Sequence, residues 1–153
     1  MAGRMVGLGI AAAVVVVDQV SKSWAVSHLQ SGPVHLIGPF SLRLEYNPGF
    51  AFSLGTAYSS ELAVVAFIVS LVLLVSSLRT RSTLARYACG LIAGGALGNL
   101  ADRLFRSTGG AVVDFIYSGF WPTFNLADAS IVLGAVILGI SLLRQDRPNH
   151  VGL

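Results

Sequence analysis

Apolar residues in this chain come in four long runs, separated by shorter and more polar stretches. The first, Val6 to Val17, continues through Asp18-Gln19-Val20-Ser21-Lys22 and predicts a helix over about 6–26. Comparable runs predict helices over about 62–78, 87–104 and 124–143. At ~1.5 Å per residue, about twenty helical residues cross the ~30 Å hydrocarbon layer. The pattern therefore predicts an α-helical integral membrane protein with four transmembrane helices. Between helices 1 and 2 the period changes to two: Phe40-Ser41-Leu42-Arg43-Leu44-Glu45-Tyr46 alternates apolar and polar, as in a half-buried strand. Gly32-Pro33 and Gly38-Pro39 punctuate its approach, and Asn47-Pro48-Gly49 ends it with turn chemistry. A small sheet over about 30–58 is expected on the membrane surface, with Phe40, Phe50 and Phe52 touching lipid or a substrate chain. Ser59 or Ser60 is expected to cap helix 2, with Glu61 in its first turn, where the helix dipole favours an acid.

Composition sharpens this picture. Of 153 residues, 54% are hydrophobic and 11% charged, and the mean hydropathy is +0.75, too apolar for an ordinary soluble domain. One membrane-embedded domain over 1–153 is expected. The first run is read as a retained helix, because a cleavable signal peptide would not carry Asp18 and Lys22 in its apolar centre. With an even number of spans, Arg4, Arg79, Arg81, Arg86, Arg144 and Arg147 share one face, six of the ten basic residues. The positive-inside rule makes that face cytoplasmic, with both termini, and puts the sheet, the Asp114 loop and the start of helix 4 outside. The net charge of +3 is thus explained by orientation, and no nucleic-acid surface is implied. Cys89 stands alone in an apolar run, which offers no disulfide framework and suits a small buried helix residue.

The costly residues are the acids. Asp114 and Asp128 flank a short aromatic loop, Ile116 to Thr123, and Asp128 opens the fourth run. Asp18 and Lys22 share a face of helix 1, four positions apart. Asn99, Asp102 and Arg103 share a face of helix 3. All lie near the outer ends of their helices. Ion pairing, Asp18 with Lys22 and Asp102 with Arg103 or a charge from another helix, accounts for part of this set. Lys22, Arg103 and Arg106 face Asp18, Asp102, Asp114 and Asp128 at this level, which leaves one acid in surplus. Two close carboxylates share a proton, and such a pair can activate a water and polarise a carbonyl. That is aspartyl peptidase chemistry. Gly90, Gly94 and Gly98, at spacing four with Gly95 beside them, read as a close helix-packing face. His28, His35 and His150 are scattered away from Cys89, so no metal site is indicated, and no Gly-x-Ser-x-Gly elbow is present.

Five blocks together resemble the bacterial lipoprotein signal peptidases, the type II signal peptidases. They are Asp18-Gln19-Val20-Ser21-Lys22, Asn47 to Ser53, Gly94 to Arg103, Val112-Val113-Asp114-Phe115, and Phe124 to Ile131. The resemblance implies an intramembrane aspartyl peptidase of the bacterial inner membrane, with four helices and an extracytoplasmic β-cradle. It implies cleavage of diacylglyceryl-modified prolipoproteins just before the lipid-bearing cysteine, by a monomer in contact with membrane lipid and needing no cofactor. By motif, Asp114 and Asp128 would be the catalytic dyad. Asn47, Gly95, Asn99, Arg103, Asn125 and Ala127 would support the dyad or contact substrate backbone and lipid. Asp18 and Lys22 match positions near the site, with a structural or substrate-positioning role. Phe50 stands where the family leads one to expect a smaller residue, which would narrow the groove.

Two other classes compete. A proton-coupled transporter would use the carboxylates as a relay and would distribute acids through membrane depth. A non-enzymatic assembly subunit would use them only in ion pairs.

Overall fold

In a computed structural model the described residues are 2–49 and 59–145. They form α1 (Ala2–His28), β1 (Val34–His35), β2 (Ser41–Asn47), α2 (Ser59–Arg79), α3 (Thr83–Phe105), β3 (Val112–Tyr117) and α4 (Leu126–Gln145). Phe50 and Phe52, the side chains of Arg4, Ser59, Ser60 and Glu61, and Arg147 fall outside the described residues, so the expectations placed on them stand as expectations.

Among the described residues four helices are present; α1, α2 and α3 run a few residues longer than the apolar runs predict, while α4 has the expected length and starts two residues later. Two of them, Met5–His28 and Leu126–Arg144, are long and apolar enough to cross a membrane by length and composition. The apolar part of α2, Ala63–Arg79, is shorter. Helix α3 carries Arg86, Asp102 and Arg103 and packs against all three other helices. Its start lies earlier than the apolar pattern suggests. Ser82 caps it, accepting a hydrogen bond from the Ala85 N–H at 3.2 Å, so most of the 79–86 stretch left between the two predicted helices is helical. Arg86 turns back from this first turn and donates to the Thr80 carbonyl at 2.8 Å and the Ser77 carbonyl at 3.3 Å. These are carbonyls that the end of α2 would otherwise leave unpaired.

Small residues set how closely the helices approach. A Cβ at Gly90 would meet the Gly7 carbonyl oxygen at 2.6 Å, and one at Gly94 the Ala11 carbonyl oxygen at 2.8 Å. Helix α1 therefore lies backbone to backbone on α3. Gly7 sits beside Ser77 and Arg86, and the Ser82 and Ser141 hydroxyls pair at 2.9 Å. At the other end Asp18, Gly98 and Ala127 meet. The four helices thus alternate in direction, with Arg79, Arg81, Arg86 and Arg144 toward one end and the sheet at the other.

The sheet corrects the expectation in one respect. It is not confined to the segment between helices 1 and 2, because β3 comes from the α3–α4 connection. The order is β1-β2-β3, antiparallel throughout, with Asn47 opposite Val112 and Ser41 opposite Tyr117. Asp114 is accordingly a strand residue rather than a loop residue. The run Val112-Val113-Asp114-Phe115 lacks alternation because all four side chains are buried. Ala25 of α1 and Leu29 just beyond its end pack with Phe115, flanked by Leu42, Leu44, Ile116 and Leu126, and seat the sheet on the bundle end. Cys89 is buried.

Candidate active site

Asn125 is the residue from which the site is built. It precedes α4, and its side-chain oxygen accepts the Asp128 N–H at 2.9 Å. The Asp128 carboxylate returns the contact, with Oδ2 accepting the Asn125 N–H at 3.2 Å. This reciprocal cap closes the first turn of α4 and fixes the Asp128 rotamer. It also explains why the helix begins at Leu126: Phe124 is held as a strand partner of Ile116. The Asn125 side-chain amide then donates to Asp114 Oδ1 at 2.7 Å and lies within 3.3 Å of the Val113 carbonyl. One asparagine therefore ties a helix carboxylate to a strand carboxylate.

Each acid has a second asparagine. Asn47, at the end of β2, donates to Asp114 Oδ2 at 3.1 Å, and its own oxygen accepts the Gly49 N–H at 3.0 Å. Asn99 of α3 donates to Asp128 Oδ1 at 2.8 Å. The Asn99 oxygen accepts from Lys22 Nζ at 2.9 Å and from Asn125 Nδ2 at 3.1 Å. Among the described residues neither Asp114 nor Asp128 is in an ion pair. Asp114 is 2% exposed. Burial, followed by the nearby Asp128 carboxylate, pushes its carboxyl up to about 7, against the hydrogen bonds from Asn47 and Asn125.

Behind this pair lies a second buried layer. Lys22 is fully enclosed, with Nζ 2.8 Å from Asp18 Oδ2 and 3.1 Å from Asp102 Oδ2. Asp18 also accepts the Ala127 N–H at 2.9 Å, which anchors the start of α4 to α1. Asp102 accepts the Val113 N–H at 3.0 Å, which anchors β3 to α3. Lys22 and Arg106 pair with Asp18 and Asp102, which leaves both Asp114 and Asp128 outside the ion pairs among the described residues. The pairing of Asp102 with Arg103 does not form. Arg106 takes that place, with Nε 3.0 Å from Asp102 Oδ1, because one helical turn sets residue 106 beside residue 102. Arg103 turns the other way, donating to the Asn99 carbonyl at 3.2 Å and the Gly49 carbonyl at 2.9 Å. There it lies within electrostatic reach of Asp128 and Asp114.

The two glycines nearest the site give room rather than ligands. A Cβ at Gly95 would collide with the Ala127 carbonyl oxygen, and one at Gly98 would lie 2.6 Å from Asp18 Oδ2. Ala127 is itself fully buried. The ten residues singled out in the sequence therefore gather in one region. Two groups beside them were not foreseen. Gln19 donates to Asp102 Oδ1 and to the Gly98 carbonyl, both at 3.0 Å; a polar residue next to Asp18 in an apolar helix was the available signal. Thr123 joins Arg43 and Glu45 on the sheet, at 2.9 and 2.6 Å, and no sequence spacing announces it.

The arrangement offers two carboxylates with four donors, one of them deeply buried, at the junction of the sheet and the bundle. Among the described residues no group of three or more His, Cys, Asp or Glu side chains could hold a metal ion.

Comparison with known proteins bears on the same architecture. The family described as Signal peptidase (SPase) II matches residues 10–144. A "Lipoprotein signal peptidase" of Rhodococcus jostii is 43% identical over 151 residues, covering 95% of this chain and 76% of that protein. A protein of the same description from Mycolicibacterium smegmatis is 45% identical over 145 residues, covering 91% of this chain and 62% of that protein. Two solved structures described as bacterial membrane enzymes superpose with TM-scores of 0.85 and 0.79. They are 25% and 26% identical, and they cover 97% and 91% of this chain and 93% of each structure. With a family match across nearly all of its length and a fold shared with membrane enzymes, the chain belongs to the signal peptidase II family of membrane peptidases.

Proposed function

We propose that the protein is an intramembrane aspartyl endopeptidase in which Asp114 and Asp128 form the catalytic dyad. Its substrates are diacylglyceryl-modified prolipoproteins, cut just before the lipid-bearing cysteine. The observation that carries this reading is the double engagement of Asn125, which caps α4 through Asp128 while donating to the buried Asp114. Two acids held by one amide, with no cation paired to either among the described residues, suit shared-proton chemistry better than an ion-pair scaffold.

In the reaction the ionised carboxyl takes a proton from a water whose oxygen attacks the scissile carbonyl carbon. The protonated carboxyl donates to the carbonyl oxygen as charge develops there. The tetrahedral intermediate collapses by breaking the C–N bond: the departing amine takes the proton that the first carboxyl received from water, and the hydroxyl proton of the intermediate returns to the second carboxyl. Asn47, Asn99 and Asn125 hold the two carboxyls. Arg103, Gly95 and Ala127 shape the site around them, and Asp18 with Lys22 anchors it. All four helices cross the membrane, both termini are cytoplasmic, and the site opens toward the outer face of the inner membrane. Exposed Phe120 and Trp121 beside the sheet suit an interfacial position, from which a lipid-anchored substrate enters laterally. The chain acts as a monomer, as one domain, and without a cofactor.

The transporter alternative draws no support from the geometry. Asp18, Asp102, Asp114 and Asp128 gather at one end of the bundle instead of being distributed along it. The test is processing of a diacylglyceryl prolipoprotein by purified wild type, Asp114→Asn and Asp128→Asn. Both variants are expected to lose cleavage while remaining folded. Full activity in either one ends the dyad assignment, and equal cleavage of unlipidated precursor ends the substrate assignment.

A further inference from the structure

Lys22 does more than the usual buried cation. Its ammonium carries three protons, and each has one partner: Asp18 Oδ2 at 2.8 Å, Asp102 Oδ2 at 3.1 Å and Asn99 Oδ1 at 2.9 Å. The first two neutralise charge. The third contacts a neutral amide, and that amide touches Asp128 on its other side.

Which way the Asn99 amide points is decided by its surroundings. Its oxygen faces two donors, Lys22 Nζ and Asn125 Nδ2, and its NH2 faces the Asp128 carboxylate at 2.8 Å. Turned over, the amide would set N–H against an ammonium and against another NH2, and would aim its oxygen at a carboxylate. Asn125 alone is a weaker guide, because its NH2 also serves Asp114 Oδ1 and the Val113 carbonyl. The ammonium has no such competing choice, since it is 0% exposed and its remaining protons are engaged.

We propose that Lys22 is a positioning residue that acts through Asn99, fixing the amide so that its NH2 rather than its oxygen meets the Asp128 carboxylate. The proposal rests on the dyad reading above and adds to it a specific route from α1, through α3, to the reacting end of α4. Asp18 then has a separate duty: it balances the ammonium and holds the Ala127 N–H. Loss of the third Lys22 proton is expected to lower the rate of the chemical step and to leave substrate binding nearly unchanged.

The test compares two double variants, Asp18→Asn/Lys22→Met and Asp18→Asn/Lys22→Gln. Both remove the same charge pair, and Asp102 keeps Arg106, Gln19 and the Val113 N–H in each. Only glutamine can still donate to Asn99 Oδ1. With a diacylglyceryl prolipoprotein as substrate, the methionine variant is expected to lose about 10- to 100-fold in kcat with KM little changed, the scale of one buried hydrogen bond. The glutamine variant is expected to recover most of that loss. Equal kcat in the two variants overturns the proposal, as does a loss confined to KM. Failure of both to unfold cooperatively also overturns it, in favour of an ion pair that only holds the bundle together. Asp128→Asn is assayed on the same preparation. If it is inactive while the two double variants are equal, Lys22 loses its role and the dyad reading survives; if it is active, the dyad reading itself has failed.

Discussion

Gly95→Ala is a small change that should separate activity from stability. The added Cβ collides with the Ala127 carbonyl oxygen and lies 2.8 Å from Ile131 Cγ1, both on the first turns of α4. Ordinary contact between such atoms begins near ~3.5 Å, so the start of α4 must retreat from α3 by about 1 Å. Overpacking of this kind costs about 1–3 kcal/mol. Replacing glycine by alanine within a helix returns about 1 kcal/mol. The net loss is therefore about 0–2 kcal/mol, which corresponds to a fall of a few degrees in thermal midpoint. Activity should suffer far more. Asp128 sits one residue beyond Ala127, and its carboxylate depends on Asn99 of α3 at 2.8 Å. A displacement of about 1 Å at a reacting group lowers the rate by about 100-fold. The assay is kcat on a lipidated precursor, together with thermal unfolding in the same detergent. Gly139→Ala is the control, because nothing lies within 4 Å of the Cβ it adds to α4. It should raise stability slightly and leave kcat unchanged. Wild-type kcat in Gly95→Ala would refute the close-approach argument, as would an equal loss in Gly139→Ala.

Three other outcomes are expected. Asn125→Ala removes the α4 cap and the donor to Asp114 together, so stability should fall by about 1–3 kcal/mol and kcat by at least about 100-fold, read by thermal unfolding and cleavage. Asp114, raised to about 7, holds its proton more tightly folded than unfolded. Its contribution to stability is complete below about pH 4 and lost as pH rises through 7, so the thermal midpoint should decline across that window and decline less in Asp114→Asn. Ser82→Ala removes the α3 cap at the end of the bundle remote from the acids, and should cost about 1 kcal/mol with kcat unchanged.

The helices were legible because long apolar runs have few alternatives, and their order followed from the turns between them. The convergence of Asp18, Asn99, Asp102 and Asp128 was legible for the same reason: their depth could be counted along each run. What the pattern could not give was partner choice. Asp102 does meet a charge from another helix, Lys22 of α1, but its partner along its own chain is Arg106 one turn on rather than the adjacent Arg103. The third strand was hidden because Val112 to Phe115 is buried on both faces and so shows no alternation. The pairing of Asn125 with both acids was beyond sequence reasoning, since it joins a helix cap to a strand side chain through space.

The reciprocal contact between Asn125 and Asp128 has a dynamic consequence. Two of the hydrogen bonds that close the first turn of α4 also orient an acid of the site. Fraying of this helix end and disassembly of the site are therefore one event, with one opening free energy. The Asp128 amide hydrogen becomes a native reporter of that event. Its exchange with deuterium measures how often the unliganded site comes apart, and slower exchange in a complex with a lipopeptide analogue would measure how far the analogue holds it together.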